Sequence, residues 1–187
     1  MTLKLEEREY LKYLDLVCIG TISDIVPLVD ENRVIAKLGL KLVENTRNLG
    51  LKALIKATGF KVIDSNAISF GVAPRINACG RMGYEEEALK LFLTNDENEA
   101  VEITDILNEY NQKRQDIEKR ITKEVIQRIE SENIKDKKII VLGDQNWHHG
   151  VIGIVSSKIT DLYFKPSILI CFEEEMGKGS RKKYSGI

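Results

Sequence analysis

Apolar residues recur at helical spacing through one long, heavily charged segment in the middle of the chain, residues 96–132. No glycine or proline interrupts this segment, so the spacing predicts one continuous helix. At about 1.5 Å of rise per residue the helix would be roughly 55 Å long, more than a small domain needs, so we expect it to connect two domains. The apolar stripe consists of Ile103, Ile106, Leu107, Tyr110, Ile117, Ile121, Val125 and Ile129. A coiled-coil dimer is the competing interpretation, but polar residues 113–116 interrupt the stripe.

Shorter helical patterns precede this segment. They predict helices over residues 3–20, 31–45, 51–58 and 84–92. We expect residues 48–50 to end the second of these helices and Gly59 to end the third. Thr94 and Glu97 have the spacing of a capping box, which predicts the start of the long helix.

The C-terminal third of the chain has a different pattern. Two short apolar runs, residues 137–143 and 166–172, predict strands, and residues 150–162 between them predict a helix. A strand-helix-strand unit forms a parallel sheet, whose ligands bind beyond the carboxyl ends of the strands. The fold class predicted for the whole chain is therefore α/β.

Residues 70–83, with the sequence FGVAPRINACGRMG, fit neither the helical nor the strand period. Glycines permit backbone conformations that other residues avoid, and proline discourages helix at the residue before it. This composition predicts a loop whose backbone can approach a ligand. Arg75, Asn77 and Arg81 would supply donors suited to phosphate oxygens, although two arginines on a loop can equally be solvated or cap a neighbouring helix.

The same string resembles the PRxNAxGR signature of the RecJ-type single-stranded-DNA-specific exonucleases, in the DHH phosphoesterase superfamily. Three further segments resemble motifs of that family and occur in the family's order. They are GTISDIVPL at residues 20–28, WHHGVIGIVSS at residues 147–157 and KGS at residues 178–180. The four motifs are distributed over residues 20–180, which is nearly the whole chain.

The resemblance implies a set of site residues. Asp24 matches an aspartate that ligates manganese in these enzymes, and hard oxygen ligands suit manganese or magnesium in a two-metal phosphodiesterase site. Further positions match residues expected to hold phosphate or to line the DNA path: Arg75, Asn77, Gly80, Arg81, His148, Gly179, Ser180 and Lys182. The family pattern has arginine at the position of Lys182 and serine at that of Lys183, so the match is weaker there.

Simpler interpretations exist for several of these residues. Asp24 lies among apolar neighbours, where a carboxylate needs a partner or a metal, but it could also cap a helix together with Thr21 and Ser23. One of His148 and His149 could cap a helix while the other is exposed. Residues 177–184 could be a solvated basic tail, and Arg114 and Arg120 of the long helix could contact DNA or belong to a solvated charged face.

The resemblance also implies a domain organisation. We expect residues 1–95 to be the C-terminal part of a DHH catalytic domain, residues 96–132 a connecting helix, and residues 133–187 a truncated DHH-associated substrate-binding domain. The aspartate-rich motifs that precede this region in the family are not in the sequence, so we interpret the chain as an internal fragment whose remaining metal ligands lie upstream. One carboxylate cannot hold two metal ions, so the fragment alone should be inactive.

Composition adds few constraints. With 43% hydrophobic residues the chain can build a core, and with 28 basic and 29 acidic residues its net charge of -1 gives no global attraction for nucleic acid. Cys18, Cys79 and Cys171 are odd in number and far apart, which indicates reduced thiols in a cytoplasmic protein. No apolar run is long enough to predict a signal core or a membrane span.

Three functions are compatible with these observations. The first is part of a metal-dependent enzyme that degrades single-stranded DNA from the 5′ end in recombination and repair. The second is a DHH phosphoesterase acting on short oligonucleotides or cyclic dinucleotides. The third is a non-catalytic nucleic-acid-binding module with the same fold.

Overall fold

The computed structural model describes residues 9–174 and 176–184, and it confirms the α/β class predicted from the sequence. Within this part of the chain the helices are α1 (Leu14–Ser23), α2 (Asp30–Glu44), α3 (Leu49–Thr58), α4 (Ala73–Met82), α5 (Glu85–Leu93), α6 (Glu97–Ser131) and α7 (His149–Tyr163). The strands are β1 (Ile140–Asp144), β2 (Ser167–Glu173) and β3 (Met176–Lys182). Short 3-10 helices, Glu9–Tyr13 and Ile134–Asp136, precede α1 and β1, and a π-helical turn, Ala67–Val72, precedes α4.

The chain divides into two compact units, and the division falls within α6, between Asn111 and Gln112. The long helix predicted over residues 96–132 is therefore present, with 35 residues, and contributes its first part to one unit and its second part to the other. Residues 3–8 of the first predicted helix lie outside the described residues. None of the helices in the described part of the chain combines the length and the apolar character that crossing a membrane requires.

The first unit is helical, and a glycine and a buried carboxylate fix two of its contacts. A Cβ atom on Gly39 of α2 would lie 2.3 Å from Cys18 Cβ on α1, so the two helices approach each other at a point where only glycine fits. A buried carboxylate, Asp15, ties α1 to the chain after α2 because its Oδ2 accepts a hydrogen bond from Thr46 Oγ1 at 2.6 Å. The buried core includes Ile19, Val43, Leu51, Leu54, Ile68, Val72, Leu91, Ile103 and Leu107.

The residues predicted to end α2 and to cap the start of α6 are wrong. Asn48 does not end α2 but begins α3, where its side chain accepts a hydrogen bond from the Leu51 N–H at 2.9 Å. The long helix is capped by Asp96 rather than Thr94, because Asp96 Oδ1 accepts from the N–H groups two and three residues later. Gly59 ends α3 as predicted, with a φ of +74°.

The second unit contains the predicted strand-helix-strand arrangement. Strands β1 and β2 are parallel, with Leu142 opposite Leu169, and α7 connects them. Strand β3 was not predicted; it pairs antiparallel with β2, so the sheet order is β1-β2-β3. The core of this unit includes Ile121, Val125, Ile129, Ile140, Leu142, Trp147, Val151, Val155, Ile159 and Leu169.

Candidate nucleic-acid interface

Residues 70–83 form helix rather than the predicted loop. The π turn runs directly into α4, and the Ala73 N–H donates to the Ile68 carbonyl five residues earlier. Pro74 lies in the first turn of α4, where a missing N–H is tolerated. Burial of Ala78 and Cys79 favours the helix by more than the ~1 kcal/mol that a glycine costs within it.

The glycines of this segment have three different roles. Gly83 takes a φ of +81° and ends α4, as expected of a C-terminal glycine. Gly71 is buried, and a Cβ there would lie 3.0 Å from the rings and methyl groups of Phe60 and Thr58. Gly80 is exposed, and a Cβ there would meet nothing within 4 Å. Gly83 is equally open, but it follows α4, so Gly80 is the one of the three that leaves room for a ligand beside the backbone within the helix.

Arg75 is held within the first unit. Its Nε donates to Asn108 Oδ1 on α6 at 2.6 Å, and its Nη1 donates to the Gly71 carbonyl at 2.7 Å. Partial burial lowers the pKa of the guanidinium, which nevertheless stays charged at neutral pH. These bonds occupy part of the guanidinium fork, so Arg75 joins α4 to α6 and is positioned rather than mobile.

Asn77, Gly80 and Arg81 lie together on the exposed side of α4. Residues three and four positions apart share one face of a helix, so the amide, the open backbone and the second guanidinium form a continuous surface. Arg75, six positions before Arg81, lies on a different side of α4 and is half-buried. The structure therefore does not place the two arginines side by side in a single clamp.

Asp24 follows the last turn of α1. Its backbone N–H donates to the Gly20 carbonyl at 3.0 Å, and its side chain is exposed, without a hydrogen bond or ion pair to any described residue. The expectation of a carboxylate enclosed by apolar neighbours is thus wrong, because Ile25 beside it is itself 87% exposed. The capping role considered with Thr21 and Ser23 is also wrong, since an aspartate side chain caps helix N-termini and Asp24 lies at a C-terminus.

The position of Asp24 is unfavourable for helix stability. A carboxylate at the negative end of a helix dipole is disfavoured by roughly 0.3 to 1 kcal/mol. The next residue, Ile25, adopts a φ of +54°, a conformation that β-branched residues rarely take. Helix stability therefore does not account for the presence of Asp24. Its exposed carboxylate is accessible as a ligand for a metal ion.

The described residues contain no group of three or more histidine, cysteine, aspartate or glutamate side chains that could hold a metal ion. Asp24 can contribute one oxygen ligand, whereas a pair of divalent cations needs several ligands. The described part of the chain does not by itself fit a two-metal site.

His148 directly precedes α7 in the second unit and is its N-cap. Its Nδ1 accepts a hydrogen bond from the Gly150 N–H at 3.1 Å, so the neutral ring carries its proton on Nε2. Burial, the neighbouring His149 and Lys113 lower the pKa of His148 below its usual 6.5. Capping and ligand binding are thus compatible, because Nε2–H can donate to a phosphate while Nδ1 stabilises the helix.

The residues on either side of His148 differ in exposure, and the pair of histidines agrees with the simpler interpretation in which one caps a helix and the other is exposed. Trp147 is buried in the core of the second unit and is not an aromatic surface for a base. His149 is exposed, and its Nδ1 lies 2.8 Å from Glu173 Oε1. Glu173 Oε2 accepts from Lys178 Nζ at 2.8 Å, so one carboxylate joins a histidine of α7 to a lysine of β3.

Gly179, Ser180 and Lys182 belong to strand β3 and not to an unstructured basic tail. Side chains alternate along a strand, so Ser180 and Lys182 share one face and Gly179 belongs to the other. Ser180 lies against Gly153 of α7, since a Cβ on that glycine would be 3.1 Å from Ser180 Oγ. The structure therefore brings Ser180 and Lys182 together beside α7 and separates Gly179 from them.

The two arginines of α6 considered for DNA contact have partners within the second unit. Arg114 pairs with the buried carboxylate of Glu118, and Arg120 Nη2 donates to the Asn146 carbonyl at 3.2 Å. Arg114 therefore has a largely buried structural contact, whereas Arg120 is exposed, as expected of a solvated charged face.

The three cysteines are free and buried. Burial raises the pKa of the Cys18 and Cys79 thiols to about 11, so neither is a thiolate at neutral pH. These side chains serve as small apolar core residues.

We expect the stability of the second unit to fall as the pH drops through the range in which His148 protonates. The folded pKa is lowered, so between the two pKa values the unfolded chain binds a proton that the folded chain does not, and stability therefore decreases with decreasing pH. Protonated His148 can no longer accept the Gly150 N–H. Denaturant midpoints measured across this pH range check the prediction.

The matched variant is His148→Asn, because asparagine also caps helices but does not titrate. It should show a shallower pH dependence than the unaltered chain. His149→Gln, which removes the other titratable ring near Glu173, should keep the dependence that His148 causes. Identical pH profiles for His148→Asn and the unaltered chain would contradict the prediction.

Comparison with known proteins identifies similar sequences and structures. No protein-family model matches the chain. The chain is 41% identical over 177 residues to the single-stranded-DNA-specific exonuclease RecJ of Bacillus subtilis, covering 92% of this chain and 22% of that protein. It is 36% identical over 179 residues to RecJ of Thermus thermophilus, covering 95% of this chain and 25% of that protein.

Solved structures agree with the sequence comparison. The crystal structure of RecJ from Thermus thermophilus in complex with Mn2+ superposes with a TM-score of 0.80 at 37% identity, covering 86% of this chain and 24% of that chain. A crystal structure of exonuclease RecJ bound to manganese superposes with a TM-score of 0.76 at 37% identity, covering 85% of this chain and 40% of that chain. The chain thus spans well under half the length of the relatives that it matches.

Proposed function

This chain is homologous to a segment of the RecJ-type single-stranded-DNA-specific exonucleases, and we propose that it is part of a metal-dependent enzyme of that kind. The enzyme degrades single-stranded DNA from its 5′ end in the cytoplasm, in recombination and repair. The observation that carries the proposal is the exposed surface of α4, where Asn77, Gly80 and Arg81 of the PRxNAxGR-like motif lie together.

The role of the α4 surface follows from its chemistry. The Arg81 guanidinium attracts and orients a phosphate, the Asn77 amide can donate to a phosphate or sugar oxygen, and Gly80 lets the strand approach the helix backbone. These contacts recognise the sugar-phosphate chain and not the base sequence, as a nuclease that degrades strands of any sequence requires. Arg75 supports the surface by joining α4 to α6 through Asn108.

Asp24 supplies one carboxylate ligand to manganese or magnesium in this proposal. Bound there, two divalent cations would activate a water and stabilise the oxygens of the phosphodiester. Because the described residues offer no cluster of ligands, the other ligands come from outside them. The purified chain is accordingly expected not to release nucleotides from single-stranded DNA.

In the second unit, His148 and residues of β3 would contact the single-stranded DNA. Nε2–H of His148 is a neutral donor, and Lys182 is an exposed cation on the same strand face as Ser180. A neutral donor, a hydroxyl and one lysine suit several weak backbone contacts rather than one strong clamp. Gly179 lies on the opposite face of β3, so we expect no contact between it and the DNA that Ser180 and Lys182 would touch.

The affinity of the purified chain for 5′-phosphorylated oligonucleotides tests the proposal. Fluorescence anisotropy should show tighter binding to a single strand than to the duplex of the same sequence, with a loss of affinity between about 50 and 200 mM salt. Equal affinity for single strand and duplex would contradict it. Binding of a dinucleotide as tightly as a long strand would favour instead a phosphoesterase acting on short oligonucleotides or cyclic dinucleotides.

A further inference from the structure

We infer that Phe70 is a base-stacking residue for single-stranded DNA, at one end of the surface that Asn77, Gly80 and Arg81 form on α4. The inference rests on the proposed function and adds to it a contact with the nucleobases. The phosphate-binding residues hold the backbone, and the Phe70 ring would hold a base of the same strand.

The exposure of Phe70 is the first observation. Its side chain is 74% exposed, whereas Ile68, Gly71 and Val72 around it are buried. The local chain therefore turns its small and aliphatic residues inward and its one aromatic residue outward. Exposure of a large aromatic ring is unfavourable in water, so packing of this unit does not explain the residue.

The π turn accounts for this orientation. Its hydrogen bond from the Ala73 N–H to the Ile68 carbonyl spans five residues instead of four, so the turn holds one residue more than an α-helical turn. The buried Gly71, which lies against Phe60 and Thr58, keeps the turn close to the end of α3. Single π turns inside helices occur frequently at functional sites, which agrees with a role for the residue that this one presents.

Phe70 lies on the same side of the helix as the candidate phosphate-binding residues. Residues 71–73 and 78–79 are buried, while Phe70, Asn77, Gly80 and Arg81 are exposed. At about 1.5 Å of rise per residue, Phe70 and Asn77 lie about 10 Å apart along the helix axis. A short stretch of single-stranded DNA can reach both residues. The ring and the polar donors thus form one continuous exposed stripe.

The charge of this segment suits a nucleic-acid strand. Residues 65–84 contain Arg75 and Arg81 and no carboxylate, and the acidic residues that follow begin on α5, beyond the turn at Gly83. An aromatic ring beside cationic and amide donors is the combination with which proteins bind single strands without regard to sequence. A surface for a protein partner would carry further apolar residues. The other residues of this stripe are polar or glycine, which favours a nucleic-acid strand.

The test uses the unaltered chain, Phe70→Ala, Phe70→Trp, and Leu89→Ala as a control at another exposed apolar position, on α5. Affinity is measured for a single-stranded oligonucleotide and for a strand of equal length with abasic sites. Phe70→Ala should weaken binding to the normal strand by roughly 5- to 150-fold, which corresponds to the free energy of stacking one base on an aromatic ring. Phe70→Trp should preserve the affinity. Leu89→Ala should bind like the unaltered chain.

The abasic strand gives the discriminating result. Removing the bases should weaken binding by the unaltered chain but have little further effect on Phe70→Ala, because the stacking contact is already lost. Binding by Phe70→Ala within about twofold of the unaltered chain, or an equal loss on both strands, would overturn the inference and leave the proposed function intact. A failure of the unaltered chain to bind single strands would overturn both.

Discussion

Replacing Gly50 with alanine is expected to lower the free energy of unfolding of the first unit by about 2 kcal/mol or more. Gly50 is buried in α3, and a Cβ there would lie 1.9 Å from the carbonyl oxygen and 2.6 Å from the carbonyl carbon of Leu91 in α5. Those are backbone atoms, so the helices themselves would have to separate. The cost exceeds the gain of about 1 kcal/mol that alanine normally gives over glycine in a helix.

Gly20→Ala is the matched control for this effect. Gly20 lies in α1, and a Cβ there meets nothing within 4 Å, so alanine should stabilise the unit by up to about 1 kcal/mol through its helix propensity. Urea unfolding followed by circular dichroism compares the two variants. Shifts of the same sign for Gly50→Ala and Gly20→Ala would show that the α3–α5 contact is not as close as the structure has it.

Replacing Glu118 with leucine is expected to destabilise the second unit by about 3 to 5 kcal/mol, the usual cost of removing one member of a buried ion pair. The Glu118 side chain is 7% exposed and pairs with Arg114, 13% exposed, and with Lys158 of α7. The substitution removes the carboxylate and leaves a largely buried guanidinium without that counter-charge. The midpoint of denaturant unfolding of this unit measures the loss.

Two further variants separate the burial of charge from other causes. The double variant Arg114→Met with Glu118→Leu should recover much of the loss, because no buried charge then lacks its counter-ion. Asp116→Asn alters an exposed pair with Lys119 on the same helix and should change the free energy of unfolding by less than about 0.5 kcal/mol. A loss as large for Asp116→Asn as for Glu118→Leu would contradict the explanation by burial.

The elements that were predicted correctly have a strong local signal. The long helix follows from an uninterrupted apolar period, α3 from its glycine end at Gly59, and the parallel pair of strands from two apolar runs around a helical pattern. In each of these, propensity and burial favour the same structure. A single sequence therefore determines them without knowledge of distant contacts.

The elements that were missed depend on distant contacts. Glycine and proline made residues 70–83 look like a loop, and only burial of Ala78 and Cys79 in the core favours the helix. Strand β3 has no alternation of apolar and polar residues, because most of its residues are exposed and it is recognisable only by its pairing with β2. Neither contact leaves a pattern within the segment itself.

The candidate site residues were likewise identified in part from the sequence and in part only from the structure. The resemblance supplied the positions, but the chemistry of each residue came from the structure. Arg75 is anchored to Asn108, His148 caps α7, and Asp24 is exposed rather than enclosed. The sequence assigned no role to Phe70, because its place on the same side of the helix as Asn77 is evident only once the segment is known to be helical.

The measurement that tests the central claim most directly is the salt dependence of single-strand affinity for the unaltered chain and for Arg81→Ala. If Arg81 holds a phosphate on the exposed face of α4, the plot of log Kd against log salt should be shallower for Arg81→Ala by roughly 0.7 to 1. Lys37→Ala, which removes an exposed cation of α2, should leave the slope unchanged. Parallel lines for the unaltered chain and Arg81→Ala would contradict the claim.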